Sequence, residues 1–152
     1  MAAKLWYPIF LNIEGKPVLV VGGGKVAFRK VAGLIAAGAR VRVVAPRFLR
    51  EFEAFEGVER IVREFDDADL DGITLAFAAT DSREVNQRVG ECARARGIFA
   101  NIADSPDECG FIVPARVNRA DVQIAISTGG KNPRRASEIR QKLEQWLDLM
   151  RP

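Results

Sequence analysis

The sequence predicts an α/β fold: a doubly wound parallel sheet, followed by a small β-hairpin and a C-terminal helix. Predicted strands and helices alternate over the first 110 residues, which is typical of a parallel sheet covered on both faces. The predicted strands are apolar along their whole length, as strands buried on both faces are. Three glycines, Gly22 to Gly24, separate the first strand from the first helix. These three observations predict a sheet domain at residues 1–110 and a smaller segment at residues 111–152.

The five strands of the sheet are predicted by short apolar runs that glycine, proline or polar residues bound. They cover Lys16–Val21, Arg40–Ala45, Val58–Arg63, Ile73–Ala79 and Ile98–Ile102. Apolar residues at helical spacing predict the helices between them, which cover Lys25–Ala37, a short Phe48–Phe55 and Ser82–Arg96. Gly38 is a stop signal for the first helix, and Ser82 is a candidate N-cap. Residues 63–72 carry little helical signal, so a loop or short helix is expected there.

Beyond Asp104 the alternation ends. Two adjacent β runs, Phe111–Val117 and Val122–Ser127, predict a hairpin. A polar loop follows, and then a helix over Arg134–Leu149, with Pro133 in its first turn. Residues 111–152 hold 8 basic against 4 acidic residues, whereas residues 1–110 hold 15 against 16. This basic excess indicates either an anionic partner or a solvated basic helix.

The composition limits the chemistry that is available. The 152 residues are 48% hydrophobic and 28% charged, as in a soluble globular domain, and neither a secretory signal nor a membrane span is predicted. Cys92 and Cys109 do not form a CxxC pair, so a reducing cytoplasm is expected. The sequence contains no histidine. Proton transfer must therefore fall to other side chains or to water.

The stretch from Gly22 to Ala27 matches the pattern G-x-G-x-x-A between a strand and a helix, which is the context of a Rossmann-like dinucleotide site. The first glycine allows a tight turn, and Gly24 lets a diphosphate approach the backbone. The small Ala27 lets the helix pack on the strand. Amide groups at the helix N-terminus would then bind the phosphates. The alternative is a tight turn that binds nothing.

The end of the second strand leaves the cofactor open. NAD sites usually place an acidic residue there for the ribose hydroxyls, but the sequence reads VVAPRF and the nearest acid is Glu51. Arg47 is instead typical of a site for the 2′-phosphate of NADP. Spacing alone does not decide between NAD and NADP.

Two further strand ends are expected at the same edge of the sheet. Thr80 follows the fourth strand and is predicted to lie beside the nicotinamide, with helix capping as the alternative. Asp104 follows the fifth strand and is the candidate acid or base. A carboxyl group with apolar neighbours holds a proton more readily, which suits proton transfer. Its alternative role is an Asx-turn before Pro106.

Several stretches together resemble the precorrin-2 dehydrogenase family, the N-terminal module of siroheme synthases. They are YPIFLNIEGKPVLVVGGGKVAFRK, AATDSREVNQRV, IFANIADSPDECGFIVPA and AISTGGKNP. The similarity extends from about Tyr7 to about Leu147. It implies oxidation of precorrin-2 to sirohydrochlorin with NAD⁺, with a hydride and a proton removed from the tetrapyrrole. Some members of the family also insert Fe²⁺.

The resemblance also implies roles for residues. The key aspartate of the family falls on Asp104, as proton acceptor. NAD contacts fall on Gly22, Gly23, Gly24, Lys25, Val26, Pro46, Arg47 and Thr80, and this similarity favours NAD over NADP. It implies a homodimer with the 111–127 strands exchanged or paired between subunits. Substrate contacts are expected at Asn101, Ser105, Arg116, Thr128, Gly129 and Lys131. Precorrin-2 carries several carboxylates, so Arg119, Arg134 and Arg135 are further candidates.

One departure limits this reading. Members of the family commonly continue past the first C-terminal helix, whereas this sequence ends at Pro152. We therefore expect dehydrogenase activity, leave ferrochelatase activity open and predict no resident metal. The alternative function is a non-catalytic NAD(H)-sensing module, which leaves Asp104 and the STGG stretch unexplained. No nucleic-acid partner is expected, because the sequence has only two Trp and one Tyr and the basic residues of the last helix share it with Glu138 and Glu144. No membrane partner is expected, because no segment is long and apolar enough to span a bilayer.

Overall fold

The computed structural model describes residues 5–149. Two compact units are present. The sheet unit comprises Phe10–Phe111. The hairpin unit comprises the described residues of Met1–Ile9 and Ile112–Pro152.

The sheet unit contains a five-stranded parallel sheet, as predicted. Its strands are β1 (Pro17–Val21), β2 (Arg40–Ala45), β3 (Glu59–Val62), β4 (Leu75–Ala78) and β5 (Phe99–Ile102), in the spatial order β3-β2-β1-β4-β5. Val21 pairs with Val44 on one side and Ala78 on the other, so three strands end at the same level. Strand order reverses between β1 and β4, and ligands bind above such a reversal in open α/β sheets.

Two α-helices cover the sheet: α1 (Lys25–Ala36) and α2 (Arg83–Ala95). The predicted cap of α2 is confirmed, because Ser82 Oγ accepts a hydrogen bond from the Val85 amide at 3.4 Å. Gly38 follows α1 with a φ of +76°, which explains why it stops the helix. The predicted helix Phe48–Phe55 is instead a 3₁₀ segment over Arg50–Ala54, and further 3₁₀ segments lie at Asp67–Leu70 and Pro106–Glu108.

The core of the sheet unit fixes α1 and the chain after β2. Ala27 and Val31 of α1 are fully buried against the strands. Phe28 stacks on Phe55 with ring centroids 4.6 Å apart, and Phe52, also fully buried, meets Phe28 edge-on at 5.5 Å. Full burial of a side chain of this size contributes about 1.5–3 kcal/mol. The start of α1 is therefore held rigidly at the edge of the sheet.

The hairpin unit contains antiparallel strands β6 (Ala115–Arg119) and β7 (Val122–Ile126), followed by α3 (Pro133–Leu149). The prediction of a first strand over Phe111–Val117 is wrong at both ends. Pro114 has no amide hydrogen to give to a ladder, so pairing begins after it and continues to Arg119. Within residues 5–149, the helices are all too short or too polar to cross a bilayer.

Candidate active site at the carboxyl edge of the sheet

The first two glycines after β1 are required by close contacts with the protein's own main chain. Gly22 has a φ of +131°, and a Cβ there would collide with the carbonyl group of Ala79. A Cβ on Gly23 would collide with the carbonyl oxygen of Arg47. The Gly22 amide donates to the Val44 carbonyl at 2.9 Å. These glycines bring the chains after β1, β2 and β4 into direct contact, which sets the shape of the turn.

Gly24 has a different environment. It is the N-cap residue of α1 in extended conformation, and apart from its chain neighbours no atom of the described residues lies within 4 Å of where its Cβ would be. Within the described helix, Gly24 supplies no side-chain cap and the first turn has no acidic residue. The first amides of α1, including those of the exposed Lys25 and Val26, therefore point to open space with the positive end of the helix dipole. This arrangement fits a diphosphate, as the sequence predicts.

The segment after β2 lies against the glycine turn. The Leu49 amide donates to the Gly23 carbonyl at 2.9 Å, and the Arg47 carbonyl packs on Gly23 as described above. Pro46 and Arg47 thus lie beside the glycine turn, and their contact with the cofactor stays a prediction. A dinucleotide on the turn would meet this segment first.

Thr80 is held in the turn after β4 by a side chain that sequence reasoning missed. The fully buried Asn86 of α2 accepts hydrogen bonds from the Thr80 amide at 3.1 Å and hydroxyl at 2.8 Å. Its Nδ2 donates to the Thr80 carbonyl at 3.1 Å. An amide on the buried face of a helix, beside Val89 and Ala93, was the signal available in the sequence. Asn86 therefore fixes the backbone where the nicotinamide is expected.

Asp104 lies in the loop that follows β5, residues 103–109, called the acidic loop below. Its side chain is 37% exposed, and Arg83 Nη1 lies 3.5 Å from its Oδ1. The apolar surroundings predicted for Asp104 are thus wrong, because a cation at the start of α2 faces it. The alternative Asx-turn is also excluded, since it needs the amide of residue 106, which is a proline. A backbone bond from the Ser105 amide to the Ile102 carbonyl, at 3.2 Å, forms the turn instead.

Arg83 is shared between two carboxylates. It forms a close charge-assisted hydrogen bond with Glu108, besides its longer contact with Asp104. The bond to Glu108 raises the pKa of Arg83 and lowers the pKa of Glu108. Both groups stay charged near neutral pH, so Glu108 holds Arg83 partly away from Asp104.

The predicted substrate residues divide between the two units. In the sheet unit, Asn101 is 7% exposed in β5, and Ser105 lies half-buried in the acidic loop. In the hairpin unit, Thr128 bonds to Asn132 through its hydroxyl, at 2.9 and 3.1 Å. The other three are exposed or half-buried residues of β6 and the 127–132 loop: Arg116, Gly129 and Lys131. Their contacts with substrate stay predictions.

Within residues 5–149, Cys, Asp and Glu side chains form no group of three that is suited to a metal ion. The groups described at this edge are main-chain amides and two carboxylates, Asp104 and Glu108, that share Arg83.

The fold and the glycine turn define a Rossmann-type dinucleotide-binding protein. The family model described as putative NAD(P)-binding matches residues 9–115, and a second model, described as sirohaem biosynthesis protein central, matches residues 119–145. The chain belongs to this NAD(P)-binding family. The prediction of a nicotinamide dinucleotide cofactor is confirmed.

Relatives and solved structures confirm the resemblance inferred from the motifs. The siroheme synthase of Ectopseudomonas mendocina (strain ymp) is 44% identical over 141 residues, which are 92% of this chain and 30% of the relative. The siroheme synthase of Pseudomonas fluorescens (strain SBW25) is 46% identical over 143 residues. The chain thus spans about 30% of the length of these relatives. The structure of SirC, precorrin-2 dehydrogenase, matches with a TM-score of 0.77 and 30% identity, over 92% of this chain and 70% of that one.

Proposed function

We propose that this chain catalyses the NAD-dependent oxidation of precorrin-2 to sirohydrochlorin. One observation carries the proposal: the uncapped N-terminus of α1 and the Asp104 carboxylate stand at the same edge of one parallel sheet. The similarity to SirC, precorrin-2 dehydrogenase, supplies the substrate. We assign residues 1–110 to cofactor binding and residues 111–152 to dimerisation and the substrate cleft.

In this proposal the backbone binds the cofactor and one side chain moves the proton. The amides from Gly22 to Val26 bind the diphosphate, and Pro46 and Arg47 flank the adenosine side. When bound there, NAD⁺ would supply the acceptor for the hydride that leaves precorrin-2. Asp104, in its ionised form, takes the proton that leaves with it, so that one hydride and one proton are removed in each turnover. The Arg83 guanidinium keeps the Asp104 carboxylate oriented and leaves it able to take the proton.

Carboxylates of precorrin-2 are expected to bind the basic residues of the hairpin unit that are not already paired. Arg119, Arg134 and Arg140 each contact a carboxylate of the same unit, namely that of Asp148, Glu138 or Glu144. Among the described residues, four basic residues of this unit are exposed and have no acidic side chain within 4 Å: Arg116, Lys131, Arg135 and Lys142. Substrate carboxylates would be their first strong partners, so these four are our candidates for substrate recognition.

We propose a homodimer formed through the hairpin unit, in the cytoplasm. Large apolar side chains of this unit are exposed, including Tyr7 (88%), Val122 (40%) and Trp146 (54%). Its buried hydrophobic residues, within the described part, are Val117 and Ala136. A surface of this kind is typical of a subunit interface. The free thiol of Cys92 is consistent with a reducing compartment. Sedimentation at micromolar concentration should show a dimer, and a monomer would contradict this part.

The dehydrogenase proposal is tested by anaerobic incubation of the purified protein with precorrin-2 and NAD⁺. We expect NADH to form in a one-to-one ratio with sirohydrochlorin, followed by their absorbance. NADP⁺ at the same concentration should support turnover poorly. Calorimetric NAD⁺ binding without any NADH formation would contradict the proposal and would support the sensing module instead.

A further inference from the structure

We propose that Lys30 is a positioning residue for Asp104: its ammonium group sets the orientation of the Asn101 amide, which in turn closes the acidic loop. The inference rests on the proposed function, because it concerns the residue that takes the proton. No part of the cofactor or substrate contact predicted from the sequence includes Lys30.

Lys30 occupies an unusual environment for a lysine. It lies half-buried on α1, with Nζ 2.8 Å from Asn101 Oδ1 and 5.3 Å from the centroid of the Phe77 ring. Among residues 5–149, no carboxylate lies within salt-bridge distance of it. Burial lowers the pKa of Lys30, and the nearby Cys109 only partly opposes this effect. Burying a cation without a counter-ion costs free energy. A lysine paired only with the neutral Asn101 amide therefore suggests that the contact has a role beyond stability.

The ammonium group determines which way the Asn101 amide faces. A lysine can only donate hydrogen bonds, so Oδ1 must face Lys30 and Nδ2 must point away from it. Nδ2 then donates to the Phe111 carbonyl at 3.1 Å and lies 3.6 Å from Cys109 Sγ. A flipped amide would place its oxygen against the Phe111 carbonyl, which is repulsive. Lys30 therefore selects one of two amide orientations.

The selected orientation closes the acidic loop at its two ends. Cys109 Sγ accepts from the Ile102 amide at 3.1 Å and lies 3.3 Å from the Ile102 carbonyl and 3.5 Å from that of Ser105. The Asn101 amide joins the Cys109 thiol, at the end of the loop, and the Phe111 carbonyl, just after the loop, to β5, which precedes it. Asp104 lies between these anchored ends. Its position thus depends on a side-chain network that begins at Lys30.

The test combines a thiol probe with steady-state kinetics. In a Cys92→Ser background, Cys109 is the single thiol, and its reaction rate with an aromatic disulfide reagent reports opening of the acidic loop. Lys30→Met removes the donor, Lys30→Arg keeps a cationic donor, and Lys16→Met removes an exposed lysine at the opposite end of β1 as a control. Loss of a nearby cation by itself disfavours the thiolate, so a faster reaction can only report opening.

We expect Lys30→Met to speed the reaction of Cys109 about tenfold and to lower kcat about tenfold with KM for NAD⁺ unchanged. Lys30→Arg should recover most of both, and Lys16→Met should change neither. If Lys30→Met does not fold, Lys30→Gln, which keeps a neutral donor, should give an intermediate rate. If Cys109 reacts at the parental rate in both Lys30→Met and Lys30→Gln, the inference is overturned. If the parent protein makes no NADH, the proposed function fails, whereas the thiol rates still decide whether Lys30 holds the loop.

Discussion

The glycine turn and the acidic loop lie at the same edge of the sheet but are held by different forces. In the turn, main-chain groups contact one another directly, through the Gly22, Gly23 and Leu49 bonds. The acidic loop is instead held by side chains from three elements, since Lys30 lies on α1, Arg83 on α2 and Asn101 in β5. The comparison teaches that the cofactor side depends on backbone shape, whereas the proton-accepting side depends on side chains that substitution can tune.

The largest effects are expected at the glycines, and they separate protein packing from ligand contact. Gly23→Ala forces a Cβ onto the Arg47 carbonyl, so the free energy of unfolding should fall by about 1–3 kcal/mol. A side chain at residue 24 meets open space, so Gly24→Val should lower the free energy of unfolding by about 1 kcal/mol or less. Its side chain would nevertheless block the phosphate site and weaken NAD⁺ binding about 100-fold. Urea denaturation and calorimetry measure both quantities; intact NAD⁺ binding in Gly24→Val would show that the turn is not the phosphate site.

The next largest effect is expected at the carboxylate of the acidic loop. Asp104→Asn keeps the shape of the side chain but removes its ability to take a proton. We expect kcat to fall by about 10²–10⁴-fold, with NAD⁺ affinity unchanged. Turnover of the variant at the parental rate would remove Asp104 from the mechanism. The acidic loop would then not be the proton-accepting region.

A smaller effect is expected from the cation that Asp104 and Glu108 share. Arg83→Gln leaves Asp104 without a fixed partner, and because the pair is exposed, kcat should fall only about two- to fivefold. Glu108→Gln should free Arg83 to move closer to Asp104 and change kcat by a similar factor. A loss as large as that in Asp104→Asn would instead give Arg83 a direct part in the chemistry.

The smallest effect on activity is expected at a pair that belongs to neither region, Arg63 and Asp69. Arg63 donates two hydrogen bonds to Asp69, at 2.6 and 2.8 Å, and they hold the pKa of this carboxyl below its usual range. A lowered pKa contributes stability that is present above the ordinary pKa of aspartate and is lost as pH falls through the lowered value. Asp69→Asn should thus lower Tm by about 2–4 °C at pH 7, with a difference that shrinks below about pH 4. NAD⁺ binding and kcat should not change.

The sequence predicts most of the sheet unit because its signals are local. Apolar runs, the glycine turn and the Ser82 cap each depend on neighbouring residues, and the parallel sheet then brings Gly24 and Asp104 to one edge. The predicted start of β6 was wrong because the apolar run includes Pro114, which cannot donate a hydrogen bond to the strand pair.

The acidic loop shows what the sequence could not reveal. Lys30 and Asn101 are separated by 71 positions and Arg83 and Glu108 by 25, and no local pattern pairs them. The expected apolar setting of Asp104 was wrong for the same reason. A position at the end of a strand is predictable from topology, but the charges that face it depend on long-range packing.

A crystal structure with NAD⁺ bound is the most direct measurement of the central claim. We predict that the diphosphate lies on the first amides of α1 above Gly24, with the nicotinamide ring extending past Thr80 toward the Asp104 carboxylate. A cofactor bound elsewhere, or a ring that turns away from residue 104, would contradict the account.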